Sequence, residues 1–468
     1  MNIDHLLTIA EACVLEAAPL WLQQSPLDMR VRQTRLAIGS YTSSIEYYRG
    51  AQSAIQFRNT ISSIPSLVKL QSALSNFDVL YQKHLCVAGQ CRSINDAFPY
   101  IYLWCDYVSD QLSLGHDLPA ALLSLRSKIQ EMLTSQTIRL SLLVAISGFN
   151  ISDLNQDLRL ADGVILRPLT DDEWSEIHTY DVHARSSFSG FTDIRYGLFI
   201  DQDVPVRLQD ESGDLSDWQI THGRTSRYIK DFLHSVHIAA EGTCAIAGTM
   251  YRIVPKIIPV GGWGSFPIVH SPLHRMSLTR EQIDQAKAIY DIISRTTSPE
   301  IQIAAKRLQD SASRLSSTDG LLDAVIGLET LLNPQDSVEL SFRVALNFAF
   351  LFNHHRRARF DELRSLYGIR SKIVHGSPGI LDGAFAAKVN EAAKLGRQCL
   401  RSTLFTMLCE PSIRHRGKLD AQFWIERIFP ISEELNTDDL ISAPDSTVRQ
   451  RLTESSFDEP GADECSAS

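Results

Sequence analysis

No stretch of this sequence stays apolar for the roughly eighteen residues that a membrane-crossing helix needs. The opening segment "MNIDHLLTIAEACVLEAAPLWLQQ" comes nearest. Asp4, Glu11 and Glu16 interrupt it, and it has no basic n-region, so it reads as an ordinary helix and not as a signal peptide. No membrane partner is expected, and the expected compartment is the cytoplasm. Close-spaced cysteine is scarce too. Eight cysteines are scattered over 468 residues, and only Cys86 and Cys91 are near each other, with no second pair to complete a zinc site. Reduced, mostly buried thiols are expected, with no metal and no cofactor. The chain also lacks a nucleophile elbow, a nucleotide loop between strand and helix, and any internal repeat. The glycines of "VGGWGS" at 260–265 read as a turn, within the loop "GGWGSFP". A uniform charge surplus is missing as well. The formal charge is −10, yet residues 431–468 alone hold ten acids against two arginines. That tail is rich in Ser, Asp, Glu and Pro and is expected to be disordered. The rest of the chain is near neutral, so the overall sign does not exclude an anionic partner.

What is present fits a globular protein of several domains, with 44% hydrophobic and 21% charged residues over a length too great for one core. Residues 1–137 read as mainly helical, with three- and four-residue apolar spacing in "SIPSLVKLQSALSNFDVLYQKHL" and "LPAALLSLRSKIQEML". From 138 to 275 the texture is mixed α+β, a region suited to sensing or regulation. "IRLSLLVAISGF" suits a buried strand, and "LRLADGVILRPL" carries Asp162-Gly163 as a hairpin signal. Thr170 and Glu173 form a capping box, "YGLFID" and "MYRIVPKIIPV" read as strands, and "SRYIKDFLHSVHIAAEG" reads as a helix. Asp201-Gln202-Asp203 reads as a cap or loop. Residues 276–412 give six helix candidates with short breaks, which implies an antiparallel helical bundle, and 413–468 form the C-terminal segment. The expected fold class is mainly α, a C-terminal bundle preceded by a mixed α+β region.

Two residues stand out in "SLYGIRSKIVHGSPG". Leu363, Tyr367, Arg370 and Val374 fall at i, i+4, i+7 and i+11, so Arg370 lies on the apolar stripe of its helix. An unpaired charge is costly there, and Arg370 is expected to have an anionic partner or to border a cleft. In "LLDAVIGLETLL" the acid Glu329 shares a stripe with Leu322, Val325 and Ile326, and its guanidinium partner is expected to be Arg370 or Arg343. His375 closes the arginine's helix ahead of Gly376, where a histidine complements the helix dipole or serves chemistry. Five residues turn a helix by about 500°, leaving Arg370 and His375 roughly 140° apart. They converge only if the arginine curls round the helix or if two copies meet.

At these residues the chain resembles the Apea-like branch of the HEPN superfamily. "LYGIRSKIVHG" is similar to its Tyr-x-x-Arg-Ser-x-x-x-His-Gly core, and "DAVIGLETLLNP" and "ELSFRVALNFAFLF" are similar to the two preceding helices. The likeness spans about residues 280–410, and "LRLADGVILRPLTDDEW" resembles the region that often precedes such a domain. The chain departs from many active members at Ser371, where they carry Asn, Asp or His. The resemblance implies a HEPN-like bundle and metal-independent RNA cleavage by a homodimer with a composite site, commonly as an antiphage effector in abortive infection or as a toxin. It implies Arg370, His375 and Ser371 as catalytic, and RNA as partner. Lys372, Arg364, Arg356 and Arg357 are placed to contact the RNA backbone, and Glu329, Arg343 and Tyr367 to support the site. A phage-derived or antitoxin partner at the N-terminal region is a further expectation. The alternative is a non-catalytic dimerisation or binding module in which Arg370 and Glu329 form a structural ion pair.

Overall fold

The computed structural model describes residues 3–23, 28–37, 40–48, 51–62, 64–75, 84–87, 90–93, 97–135, 137–152, 157–170, 173, 194–209, 216–255, 257, 263–265, 275–296, 298–332, 339–352, 354–376, 383–410, 413, 419 and 421–428. The acidic tail and the Ser-Pro-Gly after Gly376 lie outside them. The chain is mainly helical with an antiparallel sheet in the middle, and it divides into two units, residues 1–419 and 420–468. In the second unit the helix Ala421–Ile428 is described.

The first unit opens with α1 (Ile3–Gln23), a β1–β2 hairpin (Asp28–Ala37, Ser40–Tyr48), α2 (Ala51–Ile61) and α3 (Pro65–Ser75). A second hairpin, β3 (His84–Val87) and β4 (Gln90–Ser93), precedes α4 (Phe98–Ser113) and α5 (Leu118–Ser135). The region is mainly helical, as its apolar spacing implies, and the two hairpins are an addition to that reading. Strands β1 and β2 are rich in charged and hydroxylated residues, and β3 begins where the expected helix "SIPSLVKLQSALSNFDVLYQKHL" was to end. Over Asp4–Gln23, α1 is long and apolar enough to cross a membrane, with mean hydropathy 1.3. In the fold its apolar face is spent on other helices: Trp21 is buried with ring contacts to Phe57 at 4.9 Å and Tyr102 at 5.2 Å.

The middle of the chain follows in order: β5 (Thr137–Ser147), β6 (Phe149–Ile151), β7 (Leu158–Ala161), β8 (Val164–Pro168), β9 (Tyr196–Gln209), α6 (Ser216–Ala239), β10 (Ala245–Val254), β11 (Trp263–Ser265) and β12 (Met276–Leu278), with β6 and β12 paired in parallel apart from the main sheet. The strand order is β11-β10-β5-β9-β3-β4, with β8 also on β9 and β7 on β8. The β7–β8 hairpin turns at Asp162-Gly163, and both capping-box bonds of Thr170 and Glu173 form, at 3.0 and 3.2 Å. Arg167 holds the same Glu173 carboxylate through both guanidinium arms, at 2.7 and 2.9 Å. Trp263–Ser265, expected as loop, is an edge strand on β10. Asp201-Gln202-Asp203 lies inside β9, paired with β5. In both cases the ladder partner overrides a local composition that favours turns.

One apolar core runs from Leu6 through β5 and β9 to Tyr290, and Trp104 Nε1 donates to Ile257 O across it at 2.8 Å. After β12 come α7 (Arg280–Ile293), α8 (Pro299–Ser313), α9 (Ser317–Leu332), α10 (Leu340–Leu351), α11 (Arg356–Val374) and α12 (Gly383–Cys409). Helix α9 touches α8, α10, α11 and α12, the central place its all-round apolarity implies. Gly327 lets α12 in: a Cβ there would sit 2.6 Å from Leu400. A signal missed in the sequence is Asp323, buried and held by Arg307 at 2.7 Å and Arg314 at 2.8 Å, which fixes α8 against α9. Of the cysteines, Cys13, Cys105, Cys244 and Cys399 are buried free thiols and Cys409 is a half-buried one.

Helix α6 joins the two halves, packing on β9 and on α7, α8 and α12. It buries His234 and His237 at 1% exposure each. Burial, then the charges of Lys230, His237 and Lys306, takes His234 down to about 3. Burial takes His237 down to about 4, opposed by its bond to the Leu233 carbonyl and aided by Arg401. Both rings are neutral when folded and take up protons below about pH 6.5 when unfolded. Stability therefore falls with acidification from about 6.5 to about 4. Denaturant titrations at about pH 7 and about pH 5 will show this loss, and His234→Gln will remove about one proton's worth of the slope. A second expectation separates buried from exposed ion pairs. Asp323→Ala will lower the melting temperature more than Asp361→Ala, whose 2.8 Å pair with Arg357 is solvent-exposed.

Candidate functional site

Helix α11 carries the residues singled out in the sequence. It starts after His355, whose φ of 53° is left-handed and whose side chain caps nothing. The first-turn arginines are engaged. Arg356 lies over the Phe350 ring at 4.5 Å, Arg357 pairs with Asp361, and Arg359 lies over Phe352 at 4.0 Å. Burial draws the Arg359 guanidinium below its ordinary pKa, and burial followed by Arg359 and His355 does the same to His354.

One face of α11 enters the core through Leu363, Leu366 and Tyr367. The stripe then leaves it. Arg370 is half-buried, and Val374, on the same stripe, is 52% exposed. The arginine therefore sits where the helix emerges from the bundle, a rim position and not a sealed one. Among the described residues it makes no hydrogen bond or ion pair, and its charge acts on the Tyr367 hydroxyl. Rim exposure lets water solvate a charge that the interior would not tolerate.

Glu329 is half-buried on α9 and accepts a hydrogen bond from the Tyr367 hydroxyl at 3.1 Å. This differs from the expected guanidinium partner: no ion pair joins Glu329 to Arg370 or to Arg343 among the described residues, and Arg343 is exposed on α10. Burial, then the adjacent Glu329, pushes the Tyr367 hydroxyl far above its usual pKa, so it stays a donor. Tyr367 takes the place of the arginine because its ring continues the apolar stripe while its hydroxyl reaches the acid.

His375 follows the helix as its C-cap, exposed, with its backbone N–H donating to Ser371 O at 3.0 Å. Gly376 takes a φ of +63°, the left-handed turn that ends the helix. Ser371, Lys372 and Arg364 are all exposed on α11. Arg364, Arg370, Lys372 and His375 thus share the solvent-facing and rim sides of one helix, and the regular helix keeps Arg370 and His375 about 140° apart. Among the described residues no three His, Cys, Asp or Glu side chains group as metal ligands would.

Thermal unfolding separates the roles of these side chains. Arg370→Ala should cost less than about 1 kcal/mol, the scale of an exposed group, whereas loss of a buried ion-pair partner costs about 3–5 kcal/mol. Tyr367→Phe should cost about 1–3 kcal/mol, because it strands the Glu329 carboxylate. The reverse order would return Arg370 to a structural role.

Comparison of the chain with protein-family models, with curated proteins and with solved structures gives no match.

Proposed function

We propose that this protein is an endoribonuclease of the HEPN type, built on a C-terminal HEPN-like helical bundle and acting as a homodimer on RNA. One observation carries the reading: Arg370 is a rim guanidinium with no ion pair among the described residues, and the exposed imidazole of His375 follows it on the same helix end. A free guanidinium fork is suited to two oxygens of a phosphate, and an exposed imidazole is suited to moving a proton. The 2′-hydroxyl of RNA attacks the adjacent phosphorus while the bond to the 5′-oxygen breaks. His375 takes part in proton transfer at one of these oxygens, and Arg370 stabilises the charge that builds on the phosphoryl oxygens. The products are a 2′,3′-cyclic phosphate and a 5′-hydroxyl. Ser371 adds a hydrogen bond, and Arg364 and Lys372 attract the backbone.

The 140° offset is met by two copies, each giving one group to a shared site. The N-terminal region restrains the bundle until a phage-derived or antitoxin partner acts on it, which suits a defence effector or a toxin in the cytoplasm. The non-catalytic alternative requires the Arg370–Glu329 ion pair. The bond from Tyr367 to Glu329 favours the nuclease reading over it.

Incubation of the purified protein with RNA, alone or with its trigger, will yield 2′,3′-cyclic phosphate ends. Arg370→Ala and His375→Ala will each abolish them while the melting temperature stays near that of the parent. Identical RNA ladders from the parent and both variants would overturn the proposal.

A further inference from the structure

A second pair of arginines lies away from α11. Arg397 and Arg401 are one turn apart on α12, both half-buried, where α12 meets the end of α6 and the first turn of α9. Arg401 Nε donates to His237 O at 3.1 Å, at the C-terminal end of α6. Arg397 Nη1 lies 3.6 Å from the point where a Cβ on Gly320 would be, against the N-terminal turn of α9. No carboxylate forms an ion pair with either guanidinium among the described residues, and the acid that acts on both, Glu241, is exposed. Burial draws Arg401 down to about 10, with Glu241 opposing and Arg397 adding to the fall. Burial draws Arg397 down too, again opposed by Glu241.

Arg401 has the carbonyl end of α6 beside it, but Arg397, a second half-buried cation one turn away, stands by the positive end of α9 and is costly there unless an anion joins it. The neighbouring His237 supplies a second sign. It is 1% exposed, its Nδ1 bonds the Leu233 carbonyl at 2.7 Å, and its Nε2 has no partner. A carbonyl on Nδ1 requires the proton there, so Nε2 carries a free lone pair in the interior. Buried polar atoms of this kind are normally satisfied by water or ligand.

We propose that Arg397, Arg401 and His237 form a binding site for a phosphoryl group, with the guanidiniums on its oxygens and Nε2 accepting from its hydroxyl. The site stands on a different helix from Arg370 and is independent of the nuclease reading. Along α9, Gly320 and Glu329 are nine residues apart, about 14 Å at helical rise, so occupancy here leaves the α11 rim open. By its position between α6, α9 and α12, the bound group ties the helix that spans both halves to the central helix of the bundle. A phosphate ion and the phosphate of a nucleotide share this chemistry.

The test is calorimetric titration of the full chain with inorganic phosphate and with AMP, against chloride at matched ionic strength. Arg397→Gln is the main variant, because among the described residues its side chain makes no hydrogen bond whose loss would unfold the protein; Glu241→Gln is the second. The proposal predicts binding of phosphate, of AMP, or of both. A response to phosphate identifies the free ion, and a response to AMP alone identifies a nucleotide. Arg397→Gln will weaken binding roughly tenfold or more, the value of a charge-assisted hydrogen bond. Glu241→Gln will strengthen it by removing the competing carboxylate. Absence of binding by both ligands overturns the proposal, and so does binding that Arg397→Gln leaves unchanged. A fall in melting temperature on Glu241→Gln with no gain in affinity would make Glu241 the internal counter-ion and overturn it as well.

Discussion

A permanent charge at the edge of a hydrophobic stripe governs how this molecule is understood. Helix α11 gives Leu363, Leu366 and Tyr367 to the core and then climbs out of it, so that Arg370 meets water while its stem still lies on apolar surface. A fully buried guanidinium would have required a carboxylate; Glu329 instead accepts from Tyr367 and forms no ion pair with Arg370 among the described residues. The arginine is left available, and the proposed chemistry follows from that availability. The same emergence exposes His375 at the helix end, where Gly376 turns the chain away.

The bundle that presents this rim is held by contacts of a different kind. Gly327 draws α9 and α12 together, and Asp323 is clamped by Arg307 and Arg314. Helix α6 passes from the sheet to the bundle with a row of buried polar groups, among them Asp231, His234 and His237. The same helix buries Phe232, Leu233, Val236 and Ile238, so polar and apolar groups are interleaved along it. It packs on β9 and on α7, α8 and α12.

Much of this was legible in the sequence. The six C-terminal helices fall where their apolar spacing and their Pro, Gly, Asp and Ser breaks set them, and the Asp162-Gly163 hairpin and the Thr170–Glu173 capping box form as read. These signals are local. The failures are not. The β1–β2 and β3–β4 hairpins and the edge strand β11 owe their form to ladder partners, some of them distant. Changes in texture at 137 and 275 mark changes in secondary structure, and one apolar core runs across both positions. At the site, helical spacing identified Arg370 and Glu329 as oddities. It could not tell that Tyr367 would reach the acid first, because a stripe gives the side of a helix and not the depth at which it leaves the protein. Asp323 was overlooked for the same reason: its burial is set by two arginines from the preceding helix and its C-terminal end.

The central claim, a guanidinium and an imidazole brought to one phosphate by two chains, is tested most directly by mixing subunits. Arg370→Ala and His375→Ala chains, each inactive alone, are unfolded together and refolded so that mixed dimers form. In a two-fold dimer whose sites each take one group from either chain, half of the dimers are mixed and each keeps one intact site, so RNA cleavage returns to about a quarter of the parent rate. A mixture as inert as its components would contradict the account.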